Sequence, residues 1–144
     1  MLSDDQQMEF ESGVAAFEAK HFSRAMQLLS PLAELGNADA QYRIAIMYQN
    51  GLGVVRNGAL AEQNMRNAAE QGLALAQHGL GFLYLEGDGV EKDGEQAVYW
   101  FRKAADQGLV GSQATLGRMY EEGNGVEQDL DEARKWYKLA GFDS

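Results

Sequence analysis

Two histidines, six serines and a cluster of acids are the residues that could do chemistry in this 144-residue chain. His21 and His78 would suit metal binding or proton transfer, but neither has a second histidine one helical turn away to complete a ligand pair. Ser3, Ser12, Ser23, Ser30, Ser112 and Ser144 all lack the Gly-x-Ser-x-Gly context of a nucleophile elbow. Cysteine is absent, which removes thiol nucleophiles, thiolate metal sites and disulfides. Asp88, Glu91, Asp93 and Glu95 suggest calcium, which takes oxygen donors at alternate positions. Val90 occupies the next alternate position after Asp88 and Lys92 adds a positive charge, so helix capping and solvation is the better reading. The glycine pairs 51/53, 87/89 and 123/125 could cradle phosphates. They lack the third glycine of a dinucleotide fingerprint and the Gly-Lys-Ser/Thr of a P-loop, and their recurrence fits a structural joint. The residues therefore predict no enzyme, no cofactor and no metal.

Net charge is −10, which argues against nucleic-acid binding, since that needs a basic stripe. Twelve acids against four bases lie between Glu86 and Glu132, so a basic partner would be steered toward that half. The plainer reading is an acidic solvated surface that keeps the protein in solution. Met1–Asp5 has neither the basic nor the apolar region of a secretory leader, and no run approaches the roughly 18 apolar residues of a membrane helix. A cytoplasmic location is expected, without membrane insertion. A periplasmic protein stripped of its export signal would read the same way.

The elements that must position any site follow from a period of 36 residues. It runs through Ala38, Ala74 and Val110, through Tyr48, Tyr84 and Tyr120, and through Ala61, Ala97 and Ala133. A period of this size marks a solenoid, in which each unit buries its apolar face against its neighbours. Ala40, Ile44, Met47 and Tyr48 recur at helical spacing in a first helix, A; Ala61, Met65, Ala68 and Ala69 do so in a second, B. Ile44, Leu80, Leu116, the three tyrosines and Ala61, Ala97 and Ala133 should be buried. Trp100 and Trp136 share one phase of helix B and should pack between units. Ser3 with Gln6, Asp93 with Gln96 and Asp129 with Glu132 have capping-box spacing, and Gly36, Gly72 and Gly108 fit left-handed helix ends. Asn57 could cap the second unit's helix B, but Leu60 cannot reciprocate. Residues 1–37 follow the scheme less closely, because Lys20-His21-Phe22 replaces the glycine turn. Pro31 should kink or break its helix near Ser30. Helix B phases at Leu130, Ala133 and Tyr137, with Phe142, should stay partly uncovered, which allows self-association through that end.

Ala-x-x-x-Leu-Gly-x-x-Tyr-x-x-Gly-x-Gly-Val-x-x-Asp stands at Ala76–Asp93, followed by Ala-x-x-Trp-x-x-Lys-Ala-Ala-x-x-Gly at Ala97–Gly108. A third copy spans Ser112–Gly141, with Trp136. This pattern resembles the Sel-one-like repeat, a branch of the tetratricopeptide-repeat superfamily. The resemblance covers three repeats (38–73, 74–109 and 110–144), while residues 1–37 are more similar to an ordinary tetratricopeptide repeat. The unit from Ala38 departs from the pattern at Ile44-Ala45, Asn57 and Asn64, which predicts a looser fit to its neighbour.

The resemblance implies an all-α, right-handed solenoid of four helix–turn–helix units in one continuous domain. It also implies a non-enzymatic adaptor or scaffold for protein partners, of a kind found often in bacterial signalling, secretion and envelope systems. In that superfamily helix A lines the concave face. Carried across, its exposed phases give Phe10, Val14 and Phe17, then Tyr42 and Ile46, then His78, Phe82 and Glu86, then Arg118 and Glu121. A groove with aromatic anchors and an acidic end suits a peptide or helix with apolar and basic residues. The competing reading has the first-unit aromatics packed against the next helix pair. An alternative function class is an inhibitor or immunity-type protein that plugs a secreted toxin or enzyme.

Overall fold

A computed structural model describes residues 2–142 and shows eight α-helices, with no strand among those residues. They divide into two compact units that meet in sequence between Gln71 and Gly72. The first unit holds α1 (Asp4–Glu18), α2 (Phe22–Glu34), α3 (Ala38–Asn50) and α4 (Gly58–Glu70). The second holds α5 (Ala74–Glu86), α6 (Gly94–Asp106), α7 (Val110–Glu122) and α8 (Leu130–Leu139). Within each unit a helix packs chiefly on its neighbours in the chain. Odd-numbered helices are A helices and even-numbered ones are B helices.

The apolar phases form the cores. Ala25, Leu29, Leu32, Ala40, Ile44 and Met47 are buried together in the first unit. Ala97, Phe101, Ala105, Leu116, Met119 and Trp136 are buried together in the second. Ile44, Leu80 and Leu116 are buried as expected, as are Ala61, Ala97, Ala133 and both tryptophans. The tyrosines correct the sequence reading: Tyr48, Tyr84 and Tyr120 are only half-buried. A phenol brings a polar tip that seeks a partner, and the Arg102 guanidinium donates to the Tyr120 hydroxyl. Of the kink or break expected near Ser30, the break does not occur, because α2 continues through Pro31 to Glu34. Pro31 is exposed, so water reaches the carbonyl its missing N–H leaves free, and buried Leu32 and Ala33 anchor the last turn.

Helix ends follow local chemistry. Ser3 and Gln6 form a reciprocal capping box, and the side chains of Asn57, Asp93 and Asp129 each cap their own B helix. The three glycine-rich A-to-B turns, after α3, α5 and α7, each close on a tyrosine carbonyl. The N–H groups of Asn57, Asp93 and Asp129 donate to the carbonyls of Tyr48, Tyr84 and Tyr120 at 2.9 Å. Gly125, at φ +80°, brings its backbone so close to Gly94 that a Cβ on Gly94 would lie 2.4 Å from the Gly125 Cα. Two glycines are needed where that turn crosses the start of the preceding B helix.

A polar pairing that periodicity alone did not assign ties B helices to A helices. Buried Gln41 donates its amide N–H to the Ala33 carbonyl (3.1 Å) and accepts from Gln71 (2.8 Å). In the second unit Gln113 donates to the Ala105 carbonyl (3.1 Å), and Gln77 accepts from Gln107 (2.9 Å). A buried amide keeps its place when such bonds are made.

Candidate interaction surface

The A helices carry the sequence-predicted surface residues, and each unit arranges its own set. In the second unit His78, Phe82 and Glu86 lie one turn apart on α5. The His78 and Phe82 rings meet edge to face with centroids 4.9 Å apart, and each also meets the buried Phe101 ring, at 5.3 and 4.9 Å. His78 Nδ1 lies 2.6 Å from the Ser112 hydroxyl of α7. Burial pushes the imidazole below its ordinary pKa, since no ion pair offsets the lost hydration. Both rings stay half-exposed, whereas Glu86, Arg118 and Glu121 are exposed. Glu121 accepts a hydrogen bond from the Tyr137 hydroxyl of α8 at 3.3 Å. Burial, and then the Glu121 charge, hold that phenol above its ordinary value.

In the first unit Tyr42 and Ile46 of α3 are half-buried, and burial raises the Tyr42 phenol. Phe10, Val14 and Phe17 of α1 are also half-buried, with Phe10 and Phe17 packed against the first core. Phe17 meets Phe22 edge to face at 5.7 Å, and the Arg43 guanidinium sits 5.9 Å from its ring centre. These two phenylalanines therefore contribute to packing, as the competing reading had it. They leave Tyr42 and Ile46 as the apolar side chains that α3 offers.

Among the described residues no group of three or more His, Asp or Glu side chains is placed to hold a metal. The Ser112–His78 contact does not form a nucleophile, because Ser112 is fully buried and out of reach of a substrate carbonyl. Sequence reasoning missed a cleft of about 930 Å³ on the turn edge of the second unit. Glu95, Val98, Tyr120, Val126, Glu127 and Asp129 line it. The acids and valines were visible in the sequence; their convergence needed the packing of α6 on α7.

Helices paired in tandem, with an A face and a B face, define the class: an all-α helical-repeat solenoid. The chain belongs to the Sel1 repeat family, whose pattern matches residues 38–73, 74–109 and 111–141. A structure of a protective antigen from uropathogenic Escherichia coli strains, with an SLR fold, is 38% identical. It matches 94% of this chain and 30% of its own at a TM-score of 0.88. A Sel1 repeat protein from Oxalobacter formigenes is 37% identical over 92% of this chain and 54% of its own, at 0.85. Helicobacter pylori cysteine-rich protein B, at 21% identity and a TM-score of 0.65 over 84% of this chain and 86% of its own, shares the fold. The chain thus spans about a third and about half of the length of the first two relatives. No curated protein matches it. Repeats of this family generally mediate protein–protein contacts, and their proteins are generally non-enzymatic scaffolds. No helix among the described residues is long and apolar enough to cross a membrane.

Proposed function

We propose that this chain is a non-enzymatic interaction module whose A helices hold a peptide or helix of a protein partner. The observation that carries the reading is the half-exposed stripe His78–Phe82 on α5, followed one turn later by the exposed carboxylate of Glu86. An aromatic pair held rigid by Phe101 and Ser112 is a pre-ordered anchor, and little entropy is lost when a partner covers it. Tyr42 and Ile46 give α3 a comparable apolar stripe. The partner chemistry that suits both is apolar side chains with basic neighbours, since the net charge of −10 attracts cations.

The test is affinity capture from the native organism, with the parent chain and the His78→Ala/Phe82→Ala variant compared side by side. A true partner should bind the variant roughly a hundredfold more weakly while the helical content stays intact. A folded variant that retains every partner as well as the parent does would overturn the reading.

A further inference from the structure

The second and third Sel1 repeats place Trp100 and Trp136 at one position, where the first has Asn64. In the second unit Trp136 is buried in the core with Ala105, Leu116 and, at its edge, Tyr120. The Arg102 guanidinium lies 5.8 Å from the indole ring. The residues two repeats earlier than those three are Ala33, Ile44 and Tyr48. They line an open cleft of about 420 Å³ in the first unit, between α2, α3 and α4. The walls of the tryptophan site are present, and the tryptophan is not. Asn64 does not fill the space, because its side-chain N–H turns back to the Leu60 carbonyl at 2.9 Å.

We propose that this cleft is a binding site for an indole side chain supplied by a protein partner. The ring takes the place that Trp136 fills from within its own repeat. The volume falls in the range of roughly 300–1,000 Å³ common to ligand pockets. The rest of the lining favours an aromatic ring with a polar edge over a plain aliphatic group. Ser30, Glu34 and Asn67 bring hydroxyl, carboxylate and amide oxygens to the rim, where the Trp136 site has Arg102, Asp106 and Leu139 at the matching positions. The Trp136 Nε1–H has no hydrogen-bond partner among the described residues. An indole in the first-unit cleft would have acceptors within the lining, and satisfying that N–H removes the penalty of burying it bare. The site lies apart from Tyr42 and Ile46 and does not depend on the A-helix reading.

The experiment is a titration of the isotopically labelled full chain with N-acetyl-tryptophanamide, followed by amide NMR shifts. Saturable shifts are expected around Ala33, Ile44, Tyr48, Asn64 and Asn67, with none from N-acetyl-leucinamide at the same concentrations. Asn64→Trp should fill the cleft from within, raise the melting temperature and abolish the response. If Asn64→Trp does not fold, Asn67→Trp on the exposed rim serves as the blocking variant. Three results overturn the proposal: no saturable shift in the parent chain, an equal response to the leucine amide, or a folded blocking variant that binds as the parent does.

Discussion

His78 of α5 and Ser112 of α7 are joined across 2.6 Å, so successive A helices of the second unit share a side-chain hydrogen bond. A histidine that a sequence reader weighs as a ligand or a base is here a packing group, wedged against Phe82 and Phe101. The same contact orients the ring within the surface proposed above for a partner.

That placement has a pH consequence. Burial holds the folded-state pKa of His78 below 6.5, so the folded chain favours neutral imidazole. As pH falls below about 6.5 the unfolded chain takes up its proton first, and His78 removes stability until the folded state is protonated too. Above that window it has no effect on the slope. His78→Gln should flatten stability against pH between about 6.5 and the lowered folded value, in urea unfolding followed by circular dichroism. Identical slopes for parent and variant would show that the imidazole is not desolvated.

Gly81 and Gly117 face aromatic rings rather than turns. A Cβ on Gly81 would lie 2.9 Å from the Phe101 ring, and one on Gly117 would lie 2.8 Å from the Tyr137 ring. The first Sel1 repeat has Ala45 and Met65 at the matching positions, both fully buried. Small faces large in two repeats, and a slightly larger residue faces a flexible one in the other. Gly81→Ala should therefore destabilise by about 1–3 kcal/mol, despite alanine's better helix propensity. Adding Phe101→Met should recover part of that loss in a double-mutant cycle. Strict additivity would mean that the two positions are uncoupled.

Leu80 is fully buried on α5. Leu80→Ala should cost about 2–5 kcal/mol in denaturant unfolding. An unchanged midpoint would place the core elsewhere.

Charge at the edge of the proposed surface should act on encounter more than on retention. Glu86→Lys should slow association with a basic partner and weaken its salt dependence, with little change in dissociation. Stopped-flow or surface-binding kinetics at two ionic strengths would show this. A change confined to dissociation would put Glu86 inside the contact.

The helix pairs were legible because the same apolar phases recur after 36 residues, which leaves little freedom in where Ile44, Leu80 and Leu116 must go. The half-burial of Tyr48, Tyr84 and Tyr120 was not, because period reports the face a ring shares and is silent about its hydroxyl. Pro31 misled for a related reason: its cost is set by whether the orphaned carbonyl meets water, a tertiary fact. The surface residues came through family resemblance, and the packing of Phe10 and Phe17 became visible only once α1 was set against the first core. Asn64 could be read as a departure that loosens the fit. That the looseness is a cleft with intact walls required Ala33, Ile44 and Tyr48 in three dimensions.

The tyrosine carbonyls that receive Asn57, Asp93 and Asp129 give the glycine-rich connections a mechanical character. A segment whose last residue is tied back to the helix it has just left is a strut, and it fixes the spacing between the helices it joins. Exposed loop tips are ordinarily where proteases nick a chain. Here the amide protons of these three residues should exchange slowly, and limited proteolysis should spare the connections until a whole helix pair opens. The repeat is then the smallest piece of this molecule that can give way.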